Sequence, residues 1–314
     1  MDLMARAIGM DPLEFRYKNA VVEGNLIVNG STFSKIGFKQ TIQRMQKYLS
    51  EHPAPQGKNQ GRGIAAGLWI THAHCSAAHV NVNEDGTVSV VVGSTDASGS
   101  RTTLAQMAAE TLEIPFENVV IVVGDTETAA FSIITAGSMT TRSIGKAVYR
   151  ACLDVKEQLC KKAAQKLKLK VEEVEYRRGR VQVKGLPEKF LDIADLARQT
   201  FGSVGMGPIT GRGAGESGGE GTPVFAVQAA DIEVDKETGK IKVLDFVVAQ
   251  DTGVALNPKI LEGQMQGAVV QGIGWAVTEG YFYQDGLMKN STFLDYRMPT
   301  AADVPYIKAL LVEE

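Results

Sequence analysis

Cysteine is scarce: Cys75, Cys152 and Cys160 are the only three in 314 residues, and no two form a CxxC pair. That excludes an even disulfide framework and argues against an iron–sulfur or structural zinc site built from cysteine alone, so a redox centre here must be held some other way. Excess charge of either sign is also missing. Lys plus Arg number 33 against 36 Asp plus Glu, a net charge of −3, which provides no general field for nucleic acid or an anionic membrane. No uncharged apolar run approaches the roughly 20 residues that span a bilayer, and the N-terminus lacks a basic-then-apolar signal layout. The expectation is a cytoplasmic chain without nucleic-acid or membrane partners. Solenoid-period repeats and low-complexity segments are absent as well.

What is present is an ordinary globular composition, 44% hydrophobic and 22% charged, long enough for two domains or one large one. Helix is expected over residues 2–9, and a second through residue 19, with Asp11 as N-cap and Pro12 in its first turn. An amphipathic segment at 39–49 precedes a polar, proline-containing connector at 52–61, the best candidate boundary. Strands follow from 63 to 93, with a hairpin turning at Glu84-Asp85-Gly86. Then come a helix at 101–112, a buried strand at 119–123, a long helix at 143–167, a hairpin around Arg178-Gly179 and a short helix at 191–199. A second hairpin joins 224–234 to 241–250, alternating on both arms. The last part holds a turn at Asp285-Gly286, an irregular stretch at 290–305 and a final strand at 307–311.

The most informative stretch is Gly263-Gln264-Met265-Gln266-Gly267-Ala268-Val269-Val270-Gln271-Gly272-Ile273-Gly274. At helical spacing Gly263, Gly267 and Gln271 share one face, although each interior glycine costs roughly 0.5–1 kcal/mol relative to alanine. Either a sheet packs closely on that face or a ligand approaches it. Two loops of small hydroxyl residues, 93–100 and 135–138, precede helices and offer backbone N–H groups and hydroxyls. Singly each reads as a capped helix; with Gln271 they suggest one large, uncharged, hydrogen-bonding ligand. Gly213-Ala214-Gly215-Glu216-Ser217-Gly218 fits G-x-G-x-x-G but neither follows a strand nor opens a helix, so it reads as a flexible loop and not as a nicotinamide-dinucleotide site. His72 and His74 would share one face of a strand. Two imidazoles fall short of the three or four ligands zinc takes, and the segment reads as lining a cleft beside Trp69.

Several segments together resemble the molybdopterin-binding subunit of the xanthine dehydrogenase and aldehyde oxidase group of molybdenum hydroxylases. They are Met1-Asp2-Leu3-Met4-Ala5 through Asn19, Val123-Gly124-Asp125-Thr126, Gln250-Asp251-Thr252-Gly253, Asn257-Pro258, Glu262-Gly263-Gln264, Gln271-Gly272-Ile273-Gly274 and Phe293-Leu294-Asp295-Tyr296-Arg297-Met298-Pro299-Thr300. The resemblance implies an α+β fold of mixed sheets with packed helices. Residues 1–50 would end a first molybdenum-cofactor-binding domain, and 61–314 would form a second, incomplete at its C-terminus.

It further implies molybdopterin carrying molybdenum, plain or as the cytosine dinucleotide, with the metal held by the pterin dithiolene and by no side chain. Gln271 would contact the pterin; Thr135, Gly137 and Ser138 would form its hydroxyl and backbone partner. Gly99 and Ser100 would lie in another cofactor loop, and Trp69 in the substrate funnel. Where the family often has Gly-Gln-Gly this chain has Ser98-Gly99-Ser100. FAD and 2Fe-2S centres are implied on partner subunits of a hetero-oligomer that hydroxylates an N-heterocycle or aldehyde with oxygen from water. The family's catalytic glutamate, in a Gly-Glu-Pro-type motif, would fall beyond Glu314. Glu216 resembles it only superficially, because it precedes the hairpin arm at 224. No catalytic residue is therefore assigned, and the chain alone is expected to be inactive. The alternative is a noncatalytic or split-subunit scaffold that needs a partner chain for the base.

Overall fold

The structure, a computed structural model, describes residues 1–198, 207–218 and 221–314. In chain order its helices and strands are α1 (Asp2–Ala7), α2 (Pro12–Lys18), α3 (Phe38–Glu51), β1 (Gln60–Thr71), β2 (Ser76–Val82), β3 (Val88–Val92), α4 (Ser100–Leu112), β4 (Val119–Val123), α5 (Thr140–Leu167), β5 (Val174–Arg177), β6 (Arg180–Val183), β7 (Leu186–Asp192), α6 (Ile193–Arg198), β8 (Thr210–Gly215), β9 (Thr222–Val234), β10 (Ile241–Asp251), α7 (Pro258–Val277), β11 (Tyr283–Gln284), β12 (Leu287–Met288) and β13 (Ile307–Val312). The expected helix end at Gln199 lies outside the described residues. Two compact units result, Met1–Ile70 with Thr222–Glu314, and Thr71–Gly221.

The first unit is a four-stranded sheet in the order β1-β9-β10-β13, with β9 antiparallel and β13 parallel to β10. Period-2 alternation divides β10 between two cores. Val247 and Ala249 join Leu13, Ile42, Met45, Val227 and Leu310 on the face covered by α2 and α3. Val248 points the other way, to Met265, Val269 and Ile273 of α7 and Ile307 and Ala309 of β13. Asp11 caps α2 by accepting from the Leu13 and Glu14 amides at 2.9 and 3.0 Å. Asp231, on the covered face of β9, is 7% exposed and needs a counter-charge. Arg62 of β1 supplies it through two 2.7 Å bonds, from Nε to Oδ1 and from Nη2 to Oδ2, and Nη1 also donates to the His52 carbonyl at 2.8 Å.

The second unit has a sheet in the order β4-β3-β2-β8, parallel only between β3 and β4, and a smaller sheet β5-β6-β7. α4 and α5 bury Leu104, Ala108, Leu112, Ile144, Ala147, Val148, Ala151 and Val155 against Ala78, Val80, Val88, Val90 and Val92. Three expectations need correction here. The apolar run 119–123 is an edge strand with Val120 and Val122 54% and 40% exposed, because among the described residues nothing in the unit covers its second face.

Gly213-Ala214-Gly215 is not a loop but the end of β8, paired with Ser76–Ala78 of β2. The glycines are there for α5. A Cβ on Gly213 would sit 2.0 Å from the Ala147 carbonyl oxygen, and one on Gly211 2.2 Å from that of Ala151. His72 and His74 follow the last residue of β1 and precede β2, so they lie in a connection and not on a strand face.

Candidate functional site

In the second unit the parallel pair β3 and β4 runs into two loops, 93–99 and 124–139, that lead to the N-termini of α4 and α5. The carboxyl ends of parallel strands followed by helices are where open α/β sheets place ligands. Gly93 lets the loops close on one another: a Cβ there would lie 2.2 Å from the Ala130 carbonyl oxygen. Thr95 Oγ1 donates to Thr135 Oγ1 at 3.5 Å, a join that sequence reading missed. Asp125 holds the second loop by accepting from the Glu127 and Thr128 amides and the Thr128 hydroxyl at 2.8–3.0 Å. Those bonds, the Thr128 hydroxyl foremost, keep its carboxyl below the usual carboxylate range.

The loops bring together the residues singled out above in this unit. Gly99, Gly137 and Ser138 all take left-handed backbone, with φ of 71°, 58° and 61°. That conformation is unusual for serine and turns consecutive N–H groups to one side. The Ser138 carbonyl accepts from Thr71 Oγ1 at 3.0 Å. Ser100 opens α4 and is 4% exposed, its hydroxyl donating to Asp96 Oδ1 at 3.4 Å. Neither α4 nor α5 has a side-chain cap at its N-cap residue or an acidic residue in its first turn. At α4 the Asp96 carboxylate takes that place, accepting from the Arg101 amide at 3.0 Å, whereas the partial positive charge at the start of α5 is left for an electronegative group.

In the first unit Asn257 caps α7 by accepting from the Ile260 amide at 3.3 Å, with Pro258 in the first turn. Met265, Val269 and Ile273 form its buried stripe. Gly263, Gly267 and Gln271 occupy another face and are exposed, and a Cβ on either glycine would meet nothing within 4 Å. Close packing on the chain's own sheet therefore does not explain these glycines. Gln266 donates to the Ile307 carbonyl at 3.1 Å. Among the described residues Gln271 has no hydrogen-bond partner, so its carboxamide is available.

Trp69, at the end of β1, is 58% exposed and borders a groove of about 340 Å³ lined also by Gly67, Ala226, Gln228 and Gln250. The Gln228 carboxamide is a further polar group that sequence reading passed over, and Gln250 entered it only within Gln250-Asp251-Thr252-Gly253; their alternation with Val227 and Ala249 was the available signal. Asp251 beside them is structural: 7% exposed, it accepts from the Gly37 amide at 2.7 Å and the Gly253 amide at 3.2 Å. Glu216 is 78% exposed at its side chain and lies 3.5 Å from Arg150. Among the described residues no group of three or more His, Cys, Asp or Glu side chains converges to hold a metal ion, and no helix is long and apolar enough to cross a membrane. The available donors are neutral amides, hydroxyls and backbone N–H groups.

The family model for the molybdopterin cofactor-binding domain matches residues 36–305. The xanthine dehydrogenase molybdenum-binding subunit of Escherichia coli O157:H7 is 29% identical over 334 residues, an alignment covering 100% of this chain and 44% of that protein. The nicotine 6-hydroxylase large subunit of Paenarthrobacter nicotinovorans is 30% identical over 330 residues, covering 96% and 40%. Among solved structures, quinoline 2-oxidoreductase from Pseudomonas putida 86 gives a TM-score of 0.84 at 27% identity, over 100% of this chain and 44% of that one. The chain thus spans less than half the length of these relatives. With the family match running from the start of α3 to the approach to β13, and with an α+β fold of mixed sheets shared throughout, this chain belongs to the molybdopterin cofactor-binding domain family.

Proposed function

We propose that this chain is part of the molybdenum-binding subunit of a molybdenum hydroxylase. In such a subunit residues 1–50 would end one cofactor domain and 61–314 form most of a second, although residues 1–70 here pack with 222–314 as one compact unit. The observation that carries the reading is the α7 face of Gly263, Gly267 and Gln271, open where its own sheet leaves it and ending in an unpartnered carboxamide. The donor chemistry fits molybdopterin, including its cytosine dinucleotide form. A neutral pterin edge needs groups that both donate and accept, which Gln271 provides, and phosphate oxygens suit the N-terminus of α5. Gly99 and Ser138 would offer backbone N–H groups and Thr135 its hydroxyl, with Gly137 shaping the second loop and Ser100 the first.

When bound, the cofactor supplies two-electron oxidation with oxygen taken from water. Trp69 and its groove, free of carboxylates, would line the approach of an aldehyde or N-heterocycle. The proton-accepting glutamate comes from outside the described site, and FAD and 2Fe-2S partner subunits in the cytoplasm carry the electrons away.

The test is co-expression with such partners in a host that makes the cofactor, followed by elemental molybdenum and pterin fluorescence per chain. Near-stoichiometric molybdenum is expected for the native sequence. Gln271→Ala should reduce it by about tenfold, the scale of one lost hydrogen bond, and Gly267→Leu by at least about as much through steric blocking of the open face, with unchanged circular dichroism. Molybdenum content indifferent to both substitutions would sink the reading. Absence of molybdenum from the native complex would favour the noncatalytic scaffold instead.

A further inference from the structure

A cavity of about 230 Å³ opens where α7 ends, lined by Trp275, Glu279, Gly280, Tyr281 and Tyr296. Three different local structures converge to make it. Trp275 comes from the last turn of α7, and Glu279 lies just past its C-cap Thr278, with its amide on the Gly274 carbonyl at 2.8 Å. Tyr281 comes from the approach to the hairpin β11–β12, whose Asp285-Gly286 turn has φ of 54° and 76°, the type that matches strand twist. Asn290 fastens the base of that hairpin, accepting from the Phe282 amide at 2.9 Å and donating to the Gly280 carbonyl at 2.7 Å. Tyr296 follows in a turn closed by its own amide on the Phe293 carbonyl at 3.4 Å.

The electrostatics of the cavity are one-sided. The Tyr296 hydroxyl donates to Glu279 Oε2, which fixes the carboxylate and keeps the phenol protonated. Gly274 seats the other oxygen: a Cβ at that position would lie 2.0 Å from Glu279 Oε1 and 2.7 Å from Pro299 Cδ. Among the described residues Glu279 has no Lys, Arg or His within ion-pair distance. α7 also carries no basic residue in its last turn, so the partial negative charge at the C-terminal end of a 20-residue helix is uncompensated at the same place. One carboxylate between aromatic walls is far from the six or more oxygens of a calcium site. Aromatic side chains beside a fixed negative charge are instead the recognition chemistry of alkylated ammonium groups.

We propose that this cavity binds a small organic cation, an N-methylated ammonium held by Glu279, the end of α7 and the rings of Trp275, Tyr281 and Tyr296. The site needs no group bound beside Gln271, and neither does its test. The chain has two tryptophans, so a Trp69→Phe background leaves Trp275 as the sole indole reporter. Choline is titrated against its uncharged isostere, 3,3-dimethylbutan-1-ol, and binding is read from Trp275 fluorescence. Choline should give a saturable change and the isostere at least about tenfold weaker binding, because it keeps the shape and loses the charge. Glu279→Gln should weaken choline by about tenfold. Tyr281→Leu, on the exposed hairpin, should weaken it without altering the unfolding midpoint. Equal binding of the isostere, full affinity in Glu279→Gln, or no saturation with choline would overturn the proposal.

Discussion

Replacing one glycine by alanine should have opposite signs at two places in this chain, and the sizes follow from geometry. At Gly213 the new methyl would sit 2.0 Å from the Ala147 carbonyl oxygen and 2.4 Å from the Ala151 amide nitrogen. Both are backbone atoms of α5, so no rotamer change relieves the clash, and comfortable contact needs roughly 3.5 Å. β8 must therefore lift from α5 by an ångström or more. The neighbouring glycines prevent a local escape, since Cβ positions at Gly211 and Gly215 already fall 2.2 and 2.9 Å from α5 carbonyl oxygens. Overpacking of this kind costs about 3 kcal/mol, against a gain of about 0.4–1 kcal/mol from a stiffer unfolded chain. A net loss of about 2 kcal/mol lowers the melting temperature by roughly 4–8 °C for a unit of this size. Gly267→Ala, on a helix face with nothing within 4 Å, should instead stabilise the isolated chain by roughly 0.5–1 kcal/mol. Urea and thermal unfolding followed by circular dichroism would measure both. If Gly213→Ala unfolds within about 0.5 kcal/mol of the native chain, the seam between β8 and α5 is not as close as described and the reasoning fails.

Three further outcomes are expected. Asp231→Ala strands the Arg62 guanidinium, 12% exposed at its side chain, and should cost about 3–5 kcal/mol, whereas Arg62→Met combined with Asp231→Leu should cost much less; additive losses in a double-mutant cycle would contradict this. Asn257→Ala removes the acceptor at the start of α7 and should lower stability by about 1 kcal/mol in urea titrations; Asn257→Asp restoring it is the check. Burial pushes the Cys152 thiol from 9.0 up to about 12 and also raises the Tyr176 phenol. Both groups stay protonated in the fold, so their stabilisation is complete below pH 9.0 and is lost as pH climbs towards about 12. Cys152→Ala should flatten the fall of the urea midpoint above about pH 9, and an unaltered slope would refute the assignment.

Local rules made much of this architecture legible. Asp11-Pro12 announced α2, alternation on both arms announced β9 and β10, and Asp285-Gly286 announced the last hairpin, because each signal is complete within a few residues. What stayed hidden depends on distant partners. The glycines of β8 answer to Ala147 and Ala151, far earlier in the chain, and read as a loop until α5 is in place. An apolar run such as 119–123 looks alike whether one or both of its faces are covered, and only the sheet order shows β4 at an edge. The parallel pairing of β10 with β13 spans α7 and the irregular stretch after it, beyond the reach of any pattern rule. At the site, Gly263, Gly267 and Gln271 were visible from spacing alone, but their orientation was not. The same i, i+4 pattern describes Met265, Val269 and Ile273, and the stripe that met the sheet was settled by Val248 and Ala309.

The first compact unit is assembled from two stretches, with residues 71–221 between them in the chain. During synthesis from the N-terminus β1 leaves the ribosome long before β9, its only neighbour in the sheet among the described residues. The intervening unit is continuous and can settle first, while β1 waits with its backbone unpaired and Ile64, Leu68, Trp69 and Ile70 on display. An unpaired twelve-residue strand of this kind invites pairing with another chain. Yield on expression should therefore depend on how quickly β9 arrives, and slowing translation between the two stretches should send more of the protein into aggregates.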